Sequence, residues 1–197
     1  MEFPEITIEQ VFQRIPKGEI EAVSEYEWNN ALRSLGNCQI SSQGNLGAGR
    51  YDALVRYFDS NHDKYAWILV EYKRDGNGDR IFQATCQLLM YLGNIFYDTS
   101  IEGTDNFAGL MTAGSDYFYF IPREEVCEFM AKFEPVWKRN FRVRPFEAYK
   151  NMDIALFVSD HIRELYSKAV RVNSRYFSKN VRLDEIIKSI YKEWNLQ

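Results

Sequence analysis

The sequence predicts an α/β fold in which a central β-sheet is covered by helices on both sides and followed by further helices. Helix-like and strand-like segments are interspersed along the chain, as in a layered α/β domain. The runs at 50–58 and 65–73 are apolar on both faces, which is typical of strands covered on both sides. Apolar residues make up 46% of the 197 residues, enough for a packed core.

The first half of the chain contains short elements separated by proline and glycine. Pro16 should end the first helix, and Gly36 is a typical C-cap for the second. In order, we expect helices at 7–15 and 19–35, a strand at 38–42, a glycine-rich turn at 44–49 and strands at 50–58 and 65–73.

The second half begins with a helix at 81–96 that is apolar almost all round, which indicates a buried helix. Pro135 should end a later helix. We expect strands at 107–112 and 117–121 and helices at 123–133, 153–170 and 183–194. The chain is therefore divided into a core of residues 1–145 and a basic helical extension of residues 146–197.

The cellular compartment is predicted from the N-terminus and the cysteines. The first ten residues are acidic and lack the apolar stretch of a secretory signal, and no segment has the apolar length of a membrane span. Cys38, Cys86 and Cys127 lack the spacing and histidine partners of a zinc site, so we interpret them as small core residues. We expect a cytoplasmic protein with no membrane partner.

Charge is distributed unevenly along the chain. Residues 1–137 carry 11 Lys and Arg against 21 Asp and Glu, whereas residues 138–197 carry 13 against 7. A basic segment beside an acidic region is compatible with a metal site that takes its phosphate contacts from elsewhere. The alternative is that the basic residues are solvated helix faces.

Three charged residues are predicted to converge at one end of the hairpin formed by the two apolar runs. A turn centred between residues 61 and 62 pairs Asp52 with Glu71 and Leu54 with Leu69, so the two acids point to the same side of the sheet. Lys73 shares that side because it lies two residues beyond Glu71 on the same strand.

Two opposed carboxylates repel each other, and burial adds a desolvation cost. A divalent cation offsets both, and oxygen ligands suit Mg²⁺ or Mn²⁺. Such an ion can polarise a phosphoryl oxygen and activate a water molecule, while Lys73 can orient that water or stabilise developing negative charge. The alternative is that the three residues form an ion-pair cluster at a solvated end of the sheet.

The run Ile68-Leu69-Val70-Glu71-Tyr72-Lys73, with Asp52 upstream, resembles the D…(D/E)xK signature of the PD-(D/E)XK nuclease superfamily. Gln87 and Tyr91 are similar to the QxxxY motif of its RecB-type branch. The segment from Gly109 to Phe120 resembles a strand pair in the N-terminal nuclease domain of type I restriction subunits. The resemblance covers about residues 19–121 and implies a restriction-endonuclease-like mixed β-sheet flanked by helices.

The resemblance also implies roles for individual residues. It assigns metal binding to Asp52, Glu71 and the backbone carbonyl of Tyr72, with Lys73 catalytic. Members of the superfamily often add an acid from the first helix, for which Glu25 is preferred over Glu27.

One face of the helix at 81–96 carries Gln83, Gln87 and Tyr91, which lie four residues apart. Burial of an amide is unfavourable unless it is hydrogen-bonded, so this face either lines a polar pocket or lies exposed. The resemblance implies that Gln87 and Tyr91 lie near the active site, where they contact substrate or orient the lysine.

The sequence is thus expected to encode a Mg²⁺- or Mn²⁺-dependent nuclease acting on nucleic acid, with DNA favoured over RNA. Restriction, defence, repair and mobile-element biology all remain open as its role. The alternative is a nuclease-fold module that no longer cleaves and instead binds nucleic acid or acts as a scaffold. Its C-terminal helices could recruit a partner or form a homodimer.

Overall fold

A computed structural model describes residues 3–42, 45–46, 49–50, 52–98, 104–174 and 181–196. Six strands form a mixed sheet: β1 (Cys38–Ser42), β4 (Ala53–Phe58), β5 (Tyr65–Tyr72), β6 (Phe107–Ala113), β7 (Tyr117–Pro122) and β8 (Val170–Asn173), while β2 (Asn45–Leu46) and β3 (Gly49–Arg50) form a separate pair. The order in the sheet is β1-β4-β5-β6-β7-β8. β5 and β6 are parallel and the other neighbours are antiparallel.

Several helices begin at side chains that satisfy their free backbone N–H groups. Thr7 and Gln10 form a reciprocal capping box at the start of α1. Asn77 accepts a hydrogen bond from the backbone of Asp79 at α3, and Asn151 accepts one from Ile154 at α5. The helices are α1 (Ile8–Arg14), α2 (Glu21–Arg33), α3 (Gly78–Tyr97), α4 (Arg123–Asn140), α5 (Met152–Ser167) and α6 (Leu183–Glu193).

The sheet separates two apolar cores because successive strand residues point to opposite faces. On β5, Ile68 and Val70 belong to the first core, which includes residues of α1, α2 and α6. Trp67 and Leu69 belong to the second core, which includes residues of α3, α4 and α5. The mixed α/β class, with helices on both sides of the sheet, is confirmed.

Most predicted elements are present, and the ends of two helices differ from the prediction. The helix expected to end near Pro135 continues to Asn140. Proline removes one backbone donor, and burial of Phe133 and Val136 on either side of it holds the helix together. The helix expected to reach Val170 ends at Ser167, since Val170 starts β8 and pairs with β7.

The predicted strand 50–58 is interrupted. Arg50 belongs to β3 and β4 starts at Ala53, while residue 51 lies outside the described residues. Within the expected glycine-rich turn at 44–49, the described residues form parts of β2 and β3, and residues 44, 47 and 48 lie outside the description.

The segment after residue 145 was expected to be a helical extension, but it also supplies β8, so the sheet takes strands from both sides of that position. Its helix α6 is tied to the N-terminus. Leu183 donates to the backbone carbonyl of Ile6 (2.8 Å), and the Asp184 carboxylate accepts from the Ile6 N–H (3.2 Å). Among the described helices, none combines the length and apolar character needed to cross a membrane.

Candidate functional site

The predicted hairpin register is confirmed. Leu54 pairs with Leu69 and Arg56 with Trp67. Asp52 immediately precedes β4, and its carboxylate oxygen Oδ2 accepts a hydrogen bond from the backbone N–H of Tyr72 at 2.7 Å. Asp52 therefore lies against the end of β5, beside Glu71.

The Lys73 ammonium donates hydrogen bonds to two oxygen atoms of this cluster. It donates to Glu71 Oε1 at 2.5 Å and to the backbone carbonyl of Tyr72 at 2.9 Å. Glu71 is 1% exposed and Lys73 is 8% exposed. The other carboxylate oxygen of Glu71, Oε2, is buried and has no hydrogen-bond partner among the described residues.

Burial raises the pKa values of the two acids, Asp52 and Glu71. Burial, followed by the charge of Asp52, raises the pKa of Glu71 to about 8. Burial also raises the pKa of Asp52, against the lowering effects of Lys73, the Tyr72 N–H and a hydrogen bond with Glu71. For Lys73, burial acts to lower the pKa, but the charges of Glu71 and Asp52 outweigh it and the pKa is raised. The lysine therefore stays charged beside two acids that ionise reluctantly together.

Helix α2 brings two acids towards this cluster. Burial and the charges of Asp52 and Glu21 raise the pKa of Glu25, the residue preferred from the sequence. Glu21 was missed. Burial raises its pKa, while the charge of Lys73 and a hydrogen bond to the backbone of Arg74 lower it.

The spacing of these acids along α2 explains which of them approach the site. Glu21 and Glu25 are four residues apart and share one helical face, whereas Glu27 points to a different face. The four-residue spacing in the sequence was the signal that could have identified Glu21.

Two buried hydrogen bonds hold α2 across the end of the sheet. The indole N–H of Trp28 donates to the backbone carbonyl of Gly114 at 3.0 Å. The hydroxyl of Tyr72 donates to the side-chain oxygen of Asn29 at 2.8 Å. Both contacts join α2 to residues at the end of β5 or just after β6, so the position of the acids is fixed by buried groups.

A buried pair of hydroxyls was also missed. Thr112 on β6 pairs with Glu71 in the parallel register, and its hydroxyl lies 2.9 Å from that of Tyr117 on β7. Burial raises the pKa of Tyr117 well above its usual value, and the charge of Glu71 adds to this. Strand alternation could have identified Thr112, but the pairing of β5 with β6 could not be read from local sequence.

Helix α3 covers the face of the sheet to which Glu71 and Lys73 point. Tyr91 is fully buried in the second core, which excludes the exposed interpretation for that residue. Gln83 and Gln87 are half-buried. The three residues thus lie on the helix that packs over the correct face, and their contact with a substrate remains a prediction.

The turn between β5 and α3 is ordered by an acidic residue. The Asp75 carboxylate binds Arg74 at 3.2 Å and Arg80 at 2.5 Å. The backbone N–H of Gly76 donates to the Asp116 carboxylate at 2.6 Å, which ties this turn to the β6–β7 turn. The turn that follows β5 is therefore fixed both by its own ion pairs and by the β6–β7 turn.

The groups available for a metal ion are two side-chain carboxylates and one backbone carbonyl. Among the described residues, no cluster of three or more His, Cys, Asp or Glu side chains could hold a metal. The donors of Asp52, Glu71 and Tyr72 are all hard oxygens, and Glu71 Oε2 has an unused lone pair inside the protein. This donor set suits Mg²⁺ or Mn²⁺ if water or substrate oxygens complete the coordination.

Comparison of the chain with protein-family models, curated proteins and solved structures found no match.

Proposed function

We propose that this protein is a Mg²⁺- or Mn²⁺-dependent nuclease with a restriction-endonuclease-like fold. The observation that carries the proposal is the buried contact of Glu71 with Lys73 beside Asp52, at the end of β5. A structural ion pair needs one acid and one base. Asp52 is a second acid beside the buried Glu71, and its charge makes ionisation of Glu71 less favourable. A divalent cation bound between the two carboxylates would offset this repulsion.

The metal would be held by Asp52, Glu71 and the backbone carbonyl of Tyr72. A bound Mg²⁺ or Mn²⁺ polarises the scissile phosphate and lowers the pKa of a coordinated water. Glu71 contributes the unpartnered oxygen Oε2, and Asp52 is oriented by its hydrogen bond to the Tyr72 backbone.

Lys73 would act on the water and on the phosphate. Its ammonium has three donors and can orient a nucleophilic water while stabilising negative charge on the phosphoryl oxygens. In the structure it donates to Glu71 Oε1 and to the Tyr72 carbonyl. With this carbonyl as a metal ligand, the ammonium would be able to turn towards the substrate while keeping its contact with Glu71.

Residues around the cluster would tune substrate access. Glu21 and Glu25 on α2 could bind a further ion through water or exclude a second phosphate by repulsion. Gln87 on α3 would contact the substrate, and the buried Tyr91 would position Lys73 from within the core. Nucleic acid is the proposed substrate class, with DNA favoured.

The proposal is tested by incubating purified protein with supercoiled plasmid, single-stranded DNA and RNA in the presence of Mn²⁺. Asp52→Asn and Lys73→Ala should each reduce cleavage at least about 100-fold, because each removes a group that acts on the reacting phosphate. Asp63→Asn and Lys64→Ala are matched controls, since both residues are exposed in the turn at the other end of the hairpin. The controls should cleave as well as the unmodified protein.

Metal-dependent cleavage that survives both Asp52→Asn and Lys73→Ala would contradict the assignment of the site. A protein that neither cleaves nor binds Mn²⁺ in a calorimetric titration would favour the non-cleaving binding or scaffolding module.

A further inference from the structure

A basic and aromatic surface lies outside the carboxylate cluster. It is formed by residues 138–150, which include the end of α4 and the short 3-10 helix Pro145–Lys150. This segment contains five Lys and Arg residues and one acid, Glu147. Two of the five cations pair with acids, Lys138 with Glu134 and Arg139 with Asp153.

The other three cations are available to an external ligand. Among the described residues, no carboxylate lies within ion-pair distance of Arg142, Arg144 or Lys150, and all three side chains are exposed. The guanidinium of Arg142 lies over the ring of Phe141, 5.3 Å from its centre, and the ammonium of Lys150 lies 5.5 Å from the ring centre of Tyr149. Cations are thus already placed against aromatic rings.

Two aromatic rings on this surface are unusually exposed. Phe141 and Phe146 are each 48% exposed, although phenylalanine is normally buried. Trp137 supports Phe141, with their ring centres 6.2 Å apart, and Trp137 is itself held by a hydrogen bond to the side-chain oxygen of Asn94 on α3 (3.1 Å). A supported, solvent-facing ring beside free cations matches an unpaired base followed by its phosphate.

This surface lies on the same side of the sheet as the carboxylate cluster. The 3-10 helix packs against α3 and lies beside β3, which ends two residues before Asp52. Ala148 of this helix belongs to the second core together with Leu54 and Leu69. Glu71 lies two residues beyond Leu69 on β5 and therefore points to the same face of the sheet. Phe141 lies near the C-terminal end of α3, where Trp137 contacts Asn94, whereas the cluster lies beside the N-terminal end of this helix. A strand bound along residues 138–150 would reach the cluster by running along α3.

We propose that the surface formed by residues 138–150 binds single-stranded nucleic acid and leads it to the carboxylate cluster; this rests on the proposed nuclease function. Phe141 and Phe146 stack on unpaired bases, while Arg142, Arg144 and Lys150 bind the phosphates between them. Stacking on a base face requires an unpaired strand, so duplex DNA is the poorer ligand.

Binding is measured by fluorescence anisotropy with fluorescein-labelled oligo(dT) and oligo(rU) 20-mers and a 20-base-pair duplex. EDTA is included, so the measurement is independent of metal-dependent cleavage. The full-length protein should bind both single strands more tightly than the duplex. Phe141→Ala and Phe146→Ala should each weaken single-strand binding at least about fivefold.

The salt dependence tests the phosphate contacts. Arg142→Gln combined with Arg144→Gln should reduce the slope of log affinity against log salt concentration by about 1.4, or about 0.7 for each lost phosphate contact. Lys17→Gln combined with Lys64→Gln removes the same charge from exposed positions elsewhere, and Tyr26→Ala removes an exposed ring. These controls should bind as the unmodified protein does.

Equal affinity of the double arginine variant and its lysine control would overturn the proposal, as would duplex binding that is tighter and indifferent to the two phenylalanines. Dimerisation that Phe141→Ser abolishes, with no binding of oligonucleotide, would also overturn it by assigning the surface to self-association. Intact single-strand binding without cleavage would overturn the proposed nuclease function but not the proposed binding surface. Cleavage without binding at this surface would overturn the proposed binding surface but not the nuclease function.

Discussion

At the end of β5, a single residue, Glu71, determines what the candidate site can do. Its position opposite the continuation of β4 was predictable, because the turn at residues 59–64 fixes the register and strand alternation fixes the face. The hydrogen bond from the Tyr72 N–H to Asp52 was not predictable, since it depends on where β4 begins. The four-residue spacing of Glu21 and Glu25 places both on one face of α2, but the meeting of this face with the cluster depends on how α2 crosses the sheet.

At the residue scale, Lys73 is predicted to compete with a bound metal ion. Lys73→Met removes the ammonium from Glu71 Oε1 and the Tyr72 carbonyl, and a hydrogen bond from a charged donor contributes about 1.5–3 kcal/mol. The variant should therefore bind Mn²⁺ about tenfold or more tightly than the unmodified protein in calorimetric titration, while losing cleavage.

Lys64→Met, in the exposed hairpin turn, is the control for this titration and should leave the affinity unchanged. Adding Asp52→Asn to Lys73→Met should abolish the gain. An unchanged or weaker affinity in Lys73→Met would show that the ammonium and the ion do not share these oxygens.

At the scale of the elements, the predictions were correct where neighbouring residues determine the structure and wrong where a distant part of the chain determines it. β1 has the predicted bounds, and α3 starts three residues early because Asn77 caps it. These features are local. β8 was not predicted, and its first residue, Val170, was assigned to the preceding helix, because its strand partner, β7, lies about 50 residues earlier in the chain. Local sequence cannot indicate a partner at that distance.

Close packing between β6 and β7 leads to a prediction about Gly109. A Cβ at this position would lie 2.5 Å from the backbone oxygen of Ile121 and 2.8 Å from the ring of Phe120, so the strands would have to separate. Gly109→Ala should lower the free energy of unfolding by about 1–3 kcal/mol, measured by urea denaturation.

Gly78→Ala is the matched control because a Cβ there meets no atom within 4 Å and the residue starts α3. It should be neutral or slightly stabilising. Equal stability of the two variants would show that the β6–β7 pair is looser than described.

The junction of α6 with the N-terminus should make stability depend on pH. Asp184 is fully buried and its carboxylate binds Arg182 at 2.6 Å and Lys188 at 3.0 Å, which holds the pKa of Asp184 well below its usual range. A lowered folded-state pKa stabilises the protein above the unfolded-state pKa, near 3.8, and the stabilisation is lost as the pH falls towards the folded-state value.

Asp184→Asn should therefore lower the free energy of unfolding by about 2 kcal/mol at pH 7, and the difference from the unmodified protein should shrink below about pH 4. Urea denaturation between pH 3 and pH 7 measures this, with the exposed Asp63→Asn as control. A difference that grows on acidification would contradict the sign of the pKa shift.

At the scale of the whole molecule, the fold places basic residues of the C-terminal segment next to acids from other parts of the chain. Several basic residues of the C-terminal segment neutralise acids of neighbouring elements, as in the pairs Lys168–Glu125 and Arg182–Glu5. The charge asymmetry of the sequence is therefore partly internal. Arg142, Arg144 and Lys150, which form no ion pair with the described residues, belong to a segment that packs on the face of the sheet that carries the cluster. The two-sided covering of the sheet was predictable from composition and periodicity, whereas this pairing of charges required the tertiary structure.

The most direct test of the proposed metal site is the anomalous diffraction of a crystal soaked in Mn²⁺. We predict one peak about 2 Å from carboxylate oxygens of Asp52 and Glu71 and from the Tyr72 carbonyl, with the Lys73 ammonium displaced from that carbonyl. A saturating soak that leaves these oxygens without a peak, and Lys73 still bound to Glu71 and Tyr72, would contradict it.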